Sequence, residues 1–194
     1  VKTIYLIRHT TPDIDLDICY GQTDVNVKAE HFKHESKRIV DVLNTMPAIR
    51  KPRIYCSPLK RCRMLADALN FDQNITVDER LLELNFGRWE GRLWKEIPQT
   101  ELDAWLEAFP EMQAPGGESY RQLQNRVLGV WDEILTGKND VYFLIAHGGS
   151  LRALVCPILE MPLKRMFSLN MDFGSVSAIT VGKNKTRLHF LNRQ

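Results

Sequence analysis

Residues 141 to 146, VYFLIA, are apolar at every position. A strand with apolar side chains on both faces needs both faces covered, which is the position of a central strand in a sheet flanked by helices. Three further β-rich runs accompany it: TIYLI (3 to 7), RIYC (53 to 56) and VSAITV (176 to 181). RLHFL (187 to 191) is a weaker candidate for an edge strand. Helical periods lie between them. Ala29, Phe32, Ser36, Ile39, Val40 and Leu43 mark one face, and Tyr120, Leu123, Val127, Val130, Trp131 and Ile134 another. Strands alternating with amphipathic helices predict an α/β fold with a mostly parallel sheet.

The chain's 194 residues suit one domain and can bury a full core without disulfides or metals. Its 26 basic and 24 acidic residues leave a formal charge of +2 with no long block of either sign, which gives no reason to expect nucleic acid or membrane as partner. Cys19, Cys56, Cys62 and Cys156 form no C-x-x-C pair and read as reduced thiols. TIYLI is too short for a signal-peptide core or a membrane span, so a cytoplasmic protein is expected.

The strand ends carry the chemistry. TIYLI stops on Arg8 and His9, VYFLIA stops on His147, and RIYC leads into SPLKRCRMLADAL, where Arg61 lies near a helix start. Ser57 and Ser150 are the expected caps of the two following helices, and Pro157 should kink or shorten the second. Ligands of open α/β sheets collect at the carboxyl ends of the strands. Two guanidiniums, two imidazoles and helix N-termini there make an anion pocket, and Gly148 and Gly149 allow close backbone approach. The ligand that suits this set is a phosphoryl group. Without a metal-ligand cluster in the sequence, a histidine nitrogen is the best nucleophile, kept neutral by the surrounding arginines. Glu83, between apolar residues in RLLELNFGRWEG, is the candidate proton donor to the leaving group.

Taken in order along the chain, Arg8 and His9, SPLKR with Arg61, ELNFGRWEG with Glu83, and AHGG with His147 resemble the histidine phosphatase, or phosphoglycerate mutase-like, superfamily. The resemblance implies a three-layer α/β/α sandwich over residues 1 to 194, with a helical or lid region inserted around 86 to 118. It also implies that His9 becomes a phosphohistidine, that Arg8, Arg61 and His147 hold the phosphoryl group, that Glu83 is general acid and then base, and that there is no cofactor. CYGQTDVNV (19 to 27) and PGGESYRQLQNRV (115 to 127) are further similar to α-ribazole-5'-phosphate phosphatases of cobalamin biosynthesis. A broad sugar-phosphate phosphatase or a mutase is the alternative activity, and a phosphate-binding module without turnover is the alternative of another class.

The chain departs from the family where Thr10, Thr11 and Pro12 follow the nucleophile in place of Gly and Glu or Gln, with no Asn a few residues on. Gln22 or the Thr10 hydroxyl are the candidates to replace that Asn at the phosphate. His31 and His34 are three apart on a predicted helix but have lysine neighbours, and they are read as solvated; His189 is read as structural. The aromatics of 86 to 109 are expected in the core or a lid, and with Tyr20 they are where an aromatic base would find apolar walls. Segments 86 to 109 and 161 to 173 are candidates for a homodimer face and equally for core.

Overall fold

The computed structural model describes residues 1–47, 49, 51–71, 75–183 and 185–194. The all-apolar run forms β4 (Val141–Ala146), whose side chains alternate between two cores: Tyr142, Leu144 and Ala146 enter one, Phe143 and Ile145 the other. It is flanked by β1 (Lys2–Arg8) and β2 (Arg53–Cys56), both parallel to it. The sheet continues through β3 (Ile75–Val77) on one side and through β5 (Val176–Val181) and β6 (Thr186–Arg193) on the other, in the order β3-β2-β4-β1-β5-β6. Only β5 runs against the rest, and β6 is the expected edge.

Helices cover both faces, as a sheet buried on both sides requires. On one face α1 (Ala29–Asn44) and α2 (Lys60–Ala68) contribute Ile39, Leu43, Cys62 and Leu65 against Tyr5, Ile7 and Phe143. On the other, α4 (Tyr120–Thr136) and α5 (Gly148–Ile158) bring Leu123, Val127, Leu151 and Leu154 against Ile4, Leu6 and Leu144. The stretch from 86 to 118 contains α3 (Gln99–Glu107) and short 3₁₀ turns, and it packs Trp89, Ile97, Trp105 and Ala114 into this second core. All four cysteines are buried free thiols. Among the described residues no helix is long and apolar enough to cross a membrane.

Two helix starts differ from expectation. Ser57 still belongs to the sheet, its N–H donating to the Ile145 carbonyl at 3.0 Å, so α2 begins only at Lys60, whose N–H is taken by the Asp24 carboxylate at 2.7 Å. Conversely, α5 begins at Gly148, with His147 as its cap residue. Ser150 lies within the first turn, and its hydroxyl bridges the His147 backbone. Pro157 does shorten α5, which ends one residue later. The Ala153 carbonyl that Pro157 cannot serve accepts from the Gln124 amide of α4 at 3.0 Å.

Candidate active site

Because β1 and β4 pair in parallel with Arg8 opposite Ala146, both strands end at one edge. The His9 N–H donates to Ala146 at 3.1 Å, and the two imidazoles, His9 and His147, stand 5.0 Å apart between ring centroids. Arg61 reaches the same point from α2, fully buried. Its Nε donates to His147 Nδ1 at 3.3 Å, Nη1 to the Thr23 carbonyl at 2.9 Å and Nη2 to the Gly21 carbonyl at 2.7 Å. With Nδ1 accepting, His147 Nε2 is the protonated nitrogen and donates to the Ser57 hydroxyl at 2.7 Å. The Arg8 guanidinium lies 3.8 Å over the Phe173 ring and donates to the Met171 carbonyl.

The tautomer of His9 follows from its backbone. Its Nδ1 lies 2.7 Å from the Thr10 carbonyl, an acceptor only, so Nδ1 carries the proton and Nε2 keeps the lone pair. Burial, then the charges of Arg61 and Arg8, hold the His9 pKa well below the ordinary histidine value. Burial and Arg61 do the same at His147. Both rings are therefore neutral at pH 7.

Glu83 occupies the first turn of α5. Its Oε2 accepts from the Gly149 N–H at 2.8 Å, and its Oε1 from Ser150 at 3.1 Å and from Leu84 at 2.9 Å. The Gly149 and Ser150 N–H groups are N-terminal donors of α5 that have no acceptor within the helix. A side chain at 149 would place Cβ 2.2 Å from Glu83 Oε1, so only glycine permits the contact. Arg126 pins the loop from behind, donating to the carbonyls of Arg80, Leu82 and Glu83 and to the Glu118 carboxylate.

Arg8, His9, Arg61, Glu83, Gly148 and Gly149 converge on a cavity of about 150 Å³. Its walls are Ile18, Tyr20, Phe86, Trp94, Tyr120 and Arg152. A larger surface groove of about 520 Å³ beside Arg38 and Arg193 contains none of the convergent groups.

Three residues expected at the ligand are not among those lining this cavity. His147 is fully buried, with its ring 5.0 Å from that of His9 and hydrogen-bonded by Arg61. The Gln22 side-chain Nε2 donates to the Glu83 carbonyl at 3.0 Å and its backbone N–H to Glu90 at 2.8 Å. Thr10 is fully buried, and its hydroxyl meets no hydrogen-bond partner. His31 lies half-exposed beside Glu30, and His189 hydrogen-bonds Thr180. Arg152 was not anticipated. It follows Gly148 by one helical turn, a spacing that places it on the same face, and it is held by the carbonyls of Leu169 and Met171.

The two depressed imidazoles tie stability to pH. The unfolded chain takes up protons near the ordinary histidine value of about 6.5, whereas the folded chain resists them. The contribution is complete above that pH and is lost as pH falls below it. Urea midpoints of the wild type should therefore drop between pH 7.5 and 5. The drop should be smaller in His147→Asn, and an equal drop in both proteins would refute the linkage.

The family model of the histidine phosphatase superfamily, branch 1, matches residues 4–194. Phosphoserine phosphatase 1 of Hydrogenobacter thermophilus is 29% identical over 145 residues, covering 72% of this chain and 69% of that protein. Glucosyl-3-phosphoglycerate phosphatase of Mycolicibacterium vanbaalenii is 28% identical over 177 residues, with 84% and 76% covered. Among solved structures, the α-ribazole phosphatase of Shigella flexneri superposes with a TM-score of 0.85 over 98% of this chain and 96% of that one, at 22% identity.

Proposed function

Since the chain belongs to the histidine phosphatase superfamily, we propose that it hydrolyses phosphomonoesters through a phosphohistidine formed on His9 Nε2. One observation carries this reading: Thr10 holds His9 Nδ1–H, which leaves Nε2 as the unprotonated nitrogen of a residue lining the cavity with Arg8, Arg61 and Glu83. The arginine forks hold the phosphoryl oxygens and spread their charge. Nε2 attacks phosphorus, the bond to the ester oxygen breaks, and Glu83, entering the step as the carboxylic acid, passes its proton to the departing alkoxide. Glu83 then takes a proton from water as that water attacks phosphorus. The P–N bond breaks, releasing inorganic phosphate and neutral His9. His147 orients Arg61 through its Nδ1.

Glu83→Gln tests the acid. Alkyl phosphates, with poor leaving groups, should slow by about 10²–10⁴-fold, and aryl phosphates far less. Equal slowing of both would count against the role.

For the substrate, the reading is α-ribazole 5'-phosphate. The CYGQTDVNV and PGGES segments support it, together with the Tyr20, Phe86 and Trp94 walls, whose planar apolar faces suit an aromatic base. A second reading is favoured by Arg152 and by the small cavity: a compact phosphoester with a further anionic group, the kind named for the phosphoserine and glucosyl-3-phosphoglycerate relatives. Comparing kcat/KM for α-ribazole 5'-phosphate, phosphoserine, 3-phosphoglycerate and a sugar phosphate decides between them. A ribazole substrate no better than the others removes the first reading, and phosphoryl transfer in place of release would indicate a mutase.

A further inference from the structure

The threonine pair after His9 is neither cavity lining nor filler. Thr10 C=O and Thr11 N–H are the two ends of one peptide group. The carbonyl end accepts from His9 Nδ1–H at 2.7 Å, and the amide end donates to Glu35 Oε2, also at 2.7 Å. The second carboxylate oxygen, Oε1, takes the Thr11 hydroxyl at 2.6 Å. Glu35 projects from α1, is 7% exposed, and has Gly174 packed against its side chain, so closely that a Cβ there would lie 3.3 Å from its own. That same Gly174 donates its N–H to the His9 carbonyl at 3.0 Å. The His31 ring is the other titratable group beside the carboxylate, 3.8 Å from Oε1.

We infer that Glu35 is a positioning residue for His9, acting through the Thr10–Thr11 peptide: carboxylate to N–H, carbonyl to Nδ1–H, and so to the Nε2 lone pair. A negative acceptor on an amide N–H pushes electron density toward its carbonyl, and hydrogen bonds in such a chain strengthen one another. The stronger carbonyl acceptor holds the imidazole in the attacking tautomer and stabilises the positive charge that Nδ1–H carries once Nε2 binds phosphorus. This is the role a carboxylate plays when it contacts a catalytic histidine directly, moved one peptide away. The inference rests on His9 being the nucleophile. It also accounts for the departure from the family after His9, because Thr11 supplies the second hydrogen bond that grips the carboxylate.

Glu35→Gln is the test, since its amide oxygen can still accept the Thr11 N–H while the charge is gone. Rapid quench with a ³²P-labelled aryl phosphate should show phosphorylation slowed about 10-fold with substrate affinity unchanged. In ¹⁵N-histidine-labelled protein the His9 Nδ1–H resonance should move upfield, although the thermal midpoint stays near that of the wild type. A wild-type phosphorylation rate with an unmoved resonance overturns the relay and leaves Glu35 as packing. Should the variant not fold, the wild type still decides: His9 Nδ1–H and Thr11 N–H resonances both well downfield support the chain, and ordinary values for both refute it. Failure to trap any phosphoenzyme on wild-type protein would instead refute the phosphohistidine reading, which the resonances do not depend on.

Discussion

His9→Ala should release no phosphate above background and trap no acid-labile phosphoenzyme, a loss of about 10⁴-fold or more in turnover. The size follows from there being no substitute nucleophile. His147, the other imidazole at the strand ends, is not among the residues lining the cavity, with Nε2 committed to Ser57 and Nδ1 to Arg61. The thiol that touches it, Cys62, is pushed well up in pKa by burial, so it offers no thiolate. The variant should nevertheless fold, because the His9 backbone bonds to Ala146 and Gly174 do not involve its side chain. An aryl-phosphate assay with circular dichroism on the same sample checks both halves. A folded variant with appreciable turnover would overturn the phosphohistidine mechanism, whereas a wild type without turnover would leave only a phosphate-binding module.

Arg61→Ala should damage both rate and stability, and Arg61→Lys should rescue little of either. The guanidinium uses its three nitrogens on three partners, the His147 ring and the loop carbonyls of Gly21 and Thr23, and it also lines the cavity. Each buried acceptor left unpaired costs about 1–3 kcal/mol. Losing one preorganised donor to the transferring group costs about 10²–10³-fold in rate. Lysine restores the charge at a single point and cannot span the fork. Urea unfolding and kcat/KM on both variants provide the check, and a lysine variant near wild type in both would show that charge alone suffices.

The ends of β1 and β4 could be read from sequence because apolar runs stop abruptly on charged or imidazole groups, a contrast that survives folding. The helical faces around Ile39 and Leu43 and around Leu123 and Val127 were legible from their period, and all four residues are buried. Strand order was not, since pairing is set by contacts between distant segments. The three residues of β3 were too few to show a period. Ser57 and Ser150 were misassigned as caps because cap preference is local, whereas Ser57 answers to His147 and to the sheet. Nothing in the sequence showed that the Gln22 amide would meet the Glu83 carbonyl. Glu35 was equally invisible: it lies on a charged helix, and nothing in its neighbours in sequence distinguishes a solvated carboxylate from one gripped by the loop beyond the nucleophile.

The pairing of β1 with β4 and β5 sets an order of events during synthesis. Among the described residues the first strand has no partner in the first half of the sequence: its neighbours on either side are residues 141–146 and 176–181. TIYLI must therefore wait as an unpaired apolar segment until residues 141–146 and 176–181 have been made as well. Such distant pairing is slow and leaves strand edges open to aggregation. Catalytic competence therefore waits for β5, and truncations anywhere before it should yield insoluble fragments with no partial activity.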